Sequence, residues 1–593
     1  MPPKTEDNLQ NLTPGSIEEA PRYRRDIEEM RREITRLKDQ SLTEGDFRQF
    51  RLQRGIYGQK QKPDVQMVRV KIPWGRLTSA QLLALADIAD RFAGADRKGI
   101  AHVTTRQDIQ YHFVSLDQAP DCMERLAECG LTTREACGNT VRNVTADPLA
   151  GVARDEVFDV SPYAEAAARF CLRHPVSQAL ARKFKISFSG SAADRGLNPM
   201  HDLGFLAAVR TEGGKAGRGF VTTVGGGLGP TPKTAQVLEE FTPVEDFLRT
   251  THAVLFVFNR DWDYGRKNRN MARIKFLIEK IGIDEFKRRV FAERHRLRSE
   301  SYPEIPDYSE APPPAPSVSS PPGPDSAEYR RWRSTNVLAQ KQGGYSIALL
   351  HLFLGDIRSD QLRALAGAAE KFSNGLVRTT VQQNFVLRWV KNEALPALYG
   401  ELAKAGLAVP SAERLADITS CPGADTCQLG ITSSRGLAGA LVKFLREKRP
   451  NDADLADLKI KVSGCPNSCG QHHIADIGFY GGARTVGGKQ VPTYTMLLGG
   501  HIGAEGSGYG KHFLRVPAKK IPAVVDKLLD LYQAGKRPGE IFRSFVARTG
   551  FDALKRELEP LTDLPESPDS DFFSDWGGTG TFTISTGPGE CAA

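Results

Sequence analysis

An α+β fold made of two pseudo-symmetric copies is predicted by three observations: an internal repeat, a proline-rich break near mid-chain, and strand and helix patterns that alternate within each copy. The repeat has a displacement of roughly 275 to 280 positions, far beyond solenoid periods, so it reads as a duplicated domain pair. VRVKIPWGRLTSAQLLALADIADRF from Val68 to Phe92 answers SIALLHLFLGDIRSDQLRALAGAAEKF from Ser346 to Phe372. Each reads as a strand, then a Ser and a helix with apolar positions at three and four. HVTTRQDIQYHFV from His102 answers VRTTVQQNFVLRWV from Val377, both β-branched and alternating, hence strands. REACGNTVRNVTADP from Arg134 answers ITSCPGADTCQLG from Ile418, RKFKISFSG from Arg182 answers LKIKVSGCPNSCG from Leu458, and HDLGF from His201 answers ADIGF from Ala475. In this alignment Val381 and Thr426 face Arg106 and Arg142. The stretch from Tyr302 to Tyr329 is dense in Pro and Ser and reads as an extended linker between the copies.

At 593 residues, with 40% hydrophobic and 25% charged content, the chain is long enough for several buried cores. The net charge is +9 with acids and bases intermixed, which favours anions or an acidic protein as partners. Aromatics make up only 8% and no nucleic-acid-binding motif is present, so a nucleic-acid binder is disfavoured. The opening MPPKTEDNLQ lacks the apolar core of a secretory signal, and no window approaches the roughly 18 apolar residues of a membrane helix, so a cytoplasmic protein is expected.

Nine cysteines at irregular spacings argue against a disulfide framework. Cys122, Cys129, Cys137 and Cys171 are scattered, and Cys591 lies near the end. Cys421 and Cys427 are separated by five residues and Cys465 and Cys469 by three, so four thiolates stand in two close pairs. Such a set suits zinc or an iron-sulfur cluster. Each pair begins Cys-Pro, in SCPGADTC and GCPNSCG, where Pro and Gly set irregular turns that aim thiolates and backbone N–H groups.

The wording T/S-C-P-x-x-x-x-C followed by G-C-P-N-x-C-G resembles the siroheme-dependent nitrite and sulfite reductases. The likeness runs from GIYGQKQ at Gly55 to DWGGTGTF and GEC in the tail and includes the duplication. It implies that Cys421, Cys427, Cys465 and Cys469 hold a [4Fe-4S] cluster and that Cys469 also bridges to the siroheme iron. It implies two ferredoxin-like half-domains and two larger mixed α/β siroheme-binding domains. The expected order is a helical extension over 1–55, a half-domain over 56–122, an anion-site domain over 123–300, and the linker over 301–335. A second half-domain over 336–406, a cluster domain over 407–558 and a tail over 559–593 complete it.

Lys183 and Lys185 fall on a predicted strand whose period of two puts both ammonium groups on one face and Phe184 on the other. Two cations that close call for an anion between them or for water. The resemblance implies that Arg106 of TTRQ, Arg142 of VRNV, Lys183 and Lys185 converge over the open face of the siroheme iron. Fixed cations there meet the charge of a bound oxyanion and of each added electron. By family position Thr104, Gln107, Arg182, Asn467 and Gln471 join Cys469 in holding siroheme, while His472 and His473 read as supporting rather than ligating side chains.

Plant-type nitrite reductases carry Asn at the place of Lys185, so the second lysine favours sulfite, with nitrite as the alternative. GGGLG at Gly225 lacks the dinucleotide pattern and reads as a turn, which leaves electrons to a protein donor, ferredoxin or a flavoprotein reductase. A monomer is expected. The tail, with Asp575 and Trp576, is expected to pack near the substrate channel. A zinc-stabilised structural protein would be colourless, and a cluster-only electron carrier would leave the cation group without purpose.

Overall fold

In the first copy the helices Ser16–Lys38 and Glu44–Gln53 lead into the strands β1 (Ile56–Gly58), β2 (Val65–Val70), β3 (Arg76–Thr78), β4 (Ile100–Val103) and β5 (Ile109–Ser115). This is a computed structural model, and it describes residues 16–60, 64–94, 97–308, 326–450, 453–565, 569–578, 580–587 and 589–590. The helix Ser79–Phe92 starts at a capping box in which Thr78 Oγ1 accepts from Gln81 N and Gln81 Oε1 accepts from Thr78 N. Between β4 and β5 the TTRQD segment is a tight turn with Gln107 left-handed at φ 60°, so His102 to Val114 is a hairpin that presents Arg106 at its tip. A larger sheet follows from β6 (Thr145–Ala146), β7 (Ile186–Ser189), β8 (Leu203–Glu212), β9 (Lys215–Val224) and β10 (Gln236–Pro243).

The second copy repeats the plan with β11 (Val337–Ala339), β12 (Tyr345–Leu350), β13 (Asp356–Arg358), β14 (Leu376–Thr379) and β15 (Phe385–Lys391). Its larger part holds β16 (Thr419–Ser420), β17 (Ile460–Ser463), β18 (Ile477–Val486), β19 (Lys489–Leu498), the hairpin β20 (His501–Gly503) and β21 (Gly506–Gly508), and β22 (Lys511–Pro517). Both large sheets begin with three parallel strands and finish antiparallel, in the orders β6-β7-β8-β9-β10 and β16-β17-β18-β19-β22.

The half-domain sheets are not independent, because the copies exchange strands. β13 pairs with β4 (His102 opposite Asp356, Ile100 opposite Arg358), and β3 pairs with β14 (Leu376 opposite Thr78, Arg378 opposite Arg76). One apolar core therefore runs through both, with Leu77, Leu82 and Ile88 of the first copy packed with Leu362, Leu365 and Val377 of the second. Each fully buried Leu or Ile contributes about 1.5–3 kcal/mol. Arg378 on β14 lies 4.7 Å from the Trp74 ring and donates to Ser161 Oγ at 3.0 Å, a second tie between copies.

Register places the repeat more accurately than residue type does. Asp147 N donates to Phe188 O, as Cys421 N does to Val462 O. Left-handed non-glycine residues recur in matched pairs: Trp74 and Leu354, Gln107 and Gln383, Phe113 and Trp389, Asp194 and Ser468, Leu197 and Gln471. VTADP from Val144 thus answers ITSCP from Ile418, and TTRQD answers TVQQN from Thr380. The counterparts of Arg106 and Arg142 are Gln382 and Ala416, not Val381 and Thr426, since Thr379 closes β14 as Val103 closes β4.

Two further expectations are corrected. β7 begins only at Ile186, so Lys183 and Lys185 lie on the approach to it. Phe184 makes a single bridge to Val141, while the Lys185 N–H goes to the Asp202 carboxylate instead of a strand. The alternation survives, with Phe184 fully buried and both lysines half-buried. The predicted linker over 301–335 ends in the helix Ala327–Asn336, whose Tyr329 and Trp332, three apart, share one buried face; the proline-rich centre lies outside the described residues.

The tail crosses the second copy. Asp575 Oδ2 accepts from Ser433 N at 2.6 Å, Gly587 N donates to Gln428 O at 3.0 Å, and buried Glu590 pairs with Arg51 at 2.5 Å. Cys591 lies outside the described residues. Among the described residues no helix is long and apolar enough to cross a membrane.

Asp356 on the exchanged strand binds Arg97 at 2.7 Å, His102 at 2.9 Å and Arg435 at 2.6 Å. Burial alone would raise its carboxyl, but the His102 hydrogen bond and the Arg435 and Arg97 charges outweigh burial and hold it well below the usual range. Asp356→Ala should cost about 3–5 kcal/mol, read by denaturant unfolding. A depressed carboxyl stabilises above its unfolded pKa, so the deficit should persist at neutral pH and shrink only in acid below the ordinary aspartate range.

Candidate active site

Cys421 follows β16, Cys427 closes the short helical turn Gly423–Asp425, and Cys465 and Cys469 sit in the turn after β17. Cys465 is buried, Cys421 and Cys427 are half-buried, and Cys469 is exposed. Gly464 N donates to Cys421 Sγ at 3.3 Å, and Ser434 Oγ lies 3.3 Å from the same sulfur. Burial raises the Cys421, Cys427 and Cys465 thiols, and the charge of Cys469 raises each further; Cys427 is pushed up to about 12. The four sulfurs share one electrostatic neighbourhood that a positive centre would relieve. Four thiols on two facing turns, each opened by Cys-Pro, form a donor set that suits an iron-sulfur cluster.

The first copy shows that the scaffold draws these positions together. Asp147, Ser191 and Arg195 stand where Cys421, Cys465 and Cys469 stand in the second. Arg195 Nη1 lies 3.1 Å from Asp147 Oδ2 and 3.2 Å from Ser191 Oγ, and Nη2 binds both Asp155 oxygens at 2.8 Å. An ion-paired cage fills one copy of the site, and thiols occupy the other.

The two chemistries meet at a seam. Thr105 Oγ1 donates to Cys469 O at 3.0 Å, and Gln471 Nε2 donates to Thr105 O at 3.3 Å, which sets the Arg106 turn against the Cys469 loop. Arg106 donates to His201 Nε2 at 2.5 Å and to Asn143 O, and its Nε is buried without a partner. Burial chiefly, with the nearby charges of Arg142 and Arg273, lowers Arg106 to about 10. Lys185 is held well below the usual lysine range by burial and by Arg106, Arg273 and Lys183, while Cys469 acts the other way. Arg142 is buried and donates to Gly138 O at 3.0 Å and Ala136 O at 3.2 Å. Cations that depress one another beside an exposed thiol fit an anionic, thiolate-bridged group with an anion on its open face.

The remaining candidates divide. Thr104 Oγ1 accepts from Arg106 N at 3.0 Å, Arg182 is half-buried, and Asn467 is exposed beside Cys469. Gln107 is fully buried as a strut: Nε2 donates to Thr379 O at 2.8 Å and Oε1 accepts from Ala146 N at 2.9 Å. Gln471 is buried too, its Oε1 accepting from Lys461 Nζ at 3.0 Å. His472 and His473 stack on each other at 4.1 Å between ring centres. Sequence reasoning missed Thr105, Asn143, His201, Asp202 and Arg273; only the repeated HDLGF segment pointed towards two of them.

Arg195→Met should leave Asp147 buried and unpaired at a cost of about 3–5 kcal/mol. Burial already raises the Asp147 carboxyl. A raised carboxyl costs stability above its folded pKa and the cost fades as it protonates, so denaturant melts should show a larger deficit at about pH 8 than at about pH 5.

A family model described as the nitrite and sulphite reductase 4Fe-4S domain matches residues 137–297 and 411–564. One described as the nitrite/sulfite reductase ferredoxin-like half domain matches residues 57–129 and 338–405. The chain is 28% identical over 513 residues to the assimilatory ferredoxin-dependent nitrite reductase of Haloferax mediterranei, covering 85% of each protein. It is 29% identical over 496 residues to sulfite reductase (ferredoxin) 1 of Mycolicibacterium paratuberculosis, covering 82% of this chain and 83% of that one. The solved NirA protein of Mycobacterium tuberculosis superposes with a TM-score of 0.73 at 28% identity, covering 87% of this chain and 92% of that one. With both family domains matched twice and in order, the chain belongs to the nitrite and sulfite reductase family and uses its cofactor pair, siroheme and a [4Fe-4S] cluster.

Proposed function

We propose that this enzyme reduces sulfite to sulfide with six electrons from reduced ferredoxin. The observation behind this reading is a group of mutually repelling cations beside the cysteine loop: Arg106 feels the charges of Arg142 and Arg273, and Lys185 those of Arg106, Arg273, Lys183 and Cys469. Cys421, Cys427, Cys465 and Cys469 would hold the cluster and Cys469 would also hold siroheme, and the two groups together would supply the path by which electrons reach the substrate. Thr104, Arg182 and Asn467 would meet the siroheme carboxylates, while Gln107 and Gln471 tie their loops to neighbouring backbone and side chains. The region 123–300 then contributes the anion site and 407–558 the cluster, with the half-domains over 56–122 and 336–406 as their common base.

Arg106 and Arg142 hold the oxyanion and offset the charge that arrives with each electron. Lys183 and Lys185 add a second pair of cations, and burial together with the neighbouring cations makes Lys185 a readier proton donor to an oxygen leaving as water. A doubly charged anion gains more from Lys185 than nitrite does, which is the ground for preferring sulfite. Nitrite reduction to ammonia is the second reading, favoured by relatives that carry that name at similar identity. The net charge of +9 suits an acidic ferredoxin, and that association should weaken as salt rises.

The test is steady-state turnover of the holoenzyme on sulfite and on nitrite with reduced ferredoxin. Sulfide formed at the higher kcat/KM supports the proposal, and ammonia formed at the higher kcat/KM moves it to the second reading. Lys185→Met should lower kcat on sulfite by roughly 10²-fold or more while anion affinity changes less, and an unchanged rate would remove the proton-donor role. Lys185→Asn should lower kcat/KM for sulfite more than for nitrite.

A further inference from the structure

His201 is explained by neither the thiols nor the cation group. Its Nδ1 lies 2.7 Å from the Leu197 carbonyl, which only accepts, so that nitrogen holds the proton and Nε2 is left as an acceptor. Arg106 Nη1 donates to Nε2 at 2.5 Å. Burial, reinforced by the Arg106 and Lys185 charges, keeps the imidazole neutral, well below the usual histidine range. Next to it, Asp202 Oδ2 accepts from Lys185 N at 2.9 Å, and its carboxylate clamps Arg273 at 2.8 and 2.7 Å. Two consecutive residues therefore touch both cation-bearing segments.

The duplication separates scaffold from function. Asp476 stands at the position of Asp202 and its Oδ2 accepts from Lys459 N at 2.9 Å, so the aspartate belongs to the shared framework. Ala475 stands at the position of His201, and Gln382, the counterpart of Arg106, accepts from Lys461 Nζ at 2.6 Å instead. The imidazole and the guanidinium are present together in one copy and absent together in the other. A purely structural imidazole would be equally useful in both.

We propose that His201 is a positioning residue for the reduction, a neutral acceptor that aims the Arg106 guanidinium at the anion without cancelling its charge. The inference rests on Arg106 being an anion ligand. A carboxylate at this position would hold Arg106 as firmly, but it would neutralise the cation and repel the oxyanion. Imidazole Nε2, with Nδ1 fixed on a carbonyl, gives the direction alone.

The experiment uses holoenzyme variants His201→Leu, His201→Gln and Arg106→Gln. Anion affinity is read from the absorption shift on titration with sulfite and with nitrite; KM and kcat are read with reduced methyl viologen, and folding by thermal melting. His201→Leu should weaken both affinities and raise KM by roughly tenfold at unchanged cofactor content, as the loss of one oriented charge-assisted hydrogen bond implies. His201→Gln, whose amide oxygen can stand in for Nε2, should stay within about threefold of the parent. Parent-like affinity in His201→Leu overturns the inference, and so does an equal loss in the Leu and Gln variants. Should the Leu variant fail to load cofactor, the Gln variant decides: near-parent affinity supports the inference, and affinity as weak as in Arg106→Gln overturns it. Unchanged affinity in Arg106→Gln would instead overturn the anion-site reading beneath it.

Discussion

The short seam between Thr105 and the Cys469 loop is the constraint on which the rest depends. Thr105 Oγ1 binds the Cys469 carbonyl and Gln471 returns a bond to the Thr105 carbonyl, across more than half the length of the chain. It is the direct tie between the segment that carries the cations and the loop that carries the thiols. The exchanged strands make the seam rigid, since β3 and β13 each complete the sheet of the opposite copy and share one core. Both large sheets are thereby held at a set distance, with Leu197, Met200, Val381 and Ile474 closing the apolar contact between them.

Duplication supplied one scaffold with two addresses for each function. At the thiol address the first copy carries Asp147, Ser191 and Arg195, which satisfy one another as an ion-paired cage. At the cation address the second copy carries Gln382 and Ala475 in place of Arg106 and His201. At each address one copy carries the proposed site residues and the other carries groups that pair with one another or with the framework. The backbone has been conservative throughout, as the five matched pairs of left-handed residues show.

Much of this was legible in the sequence, because the signals were local. The repeat, the two Cys-Pro pairs and the cations of TTRQ, VRN and RKFK are short words that survive without knowledge of partners. Strand exchange was not legible, since β3 and β13 are three residues each and their partners lie in the other copy. Residue type alone mispairs Arg106 and Arg142 with the second copy, because hydrogen-bond register decides their counterparts. Its place in the motif suggests Gln107 as a cofactor contact, but both ends of its amide are consumed by backbone groups that only the fold brings near. His201, Asp202 and Arg273 were missed for the same reason: nothing in their local sequence says that they meet Arg106 and Lys185.

On the proposed reading one copy holds iron on Cys421, Cys427, Cys465 and Cys469 while the other presents Arg106 and Lys185 to the same centre. Anomalous diffraction at the iron edge from crystals of the purified holoenzyme tests it most directly. The expected result is a four-iron cluster on those sulfurs and a further iron beyond Cys469, facing Arg106, Lys183 and Lys185. A single metal ion on the four cysteines, or iron placed away from the Thr105–Cys469 seam, would contradict it.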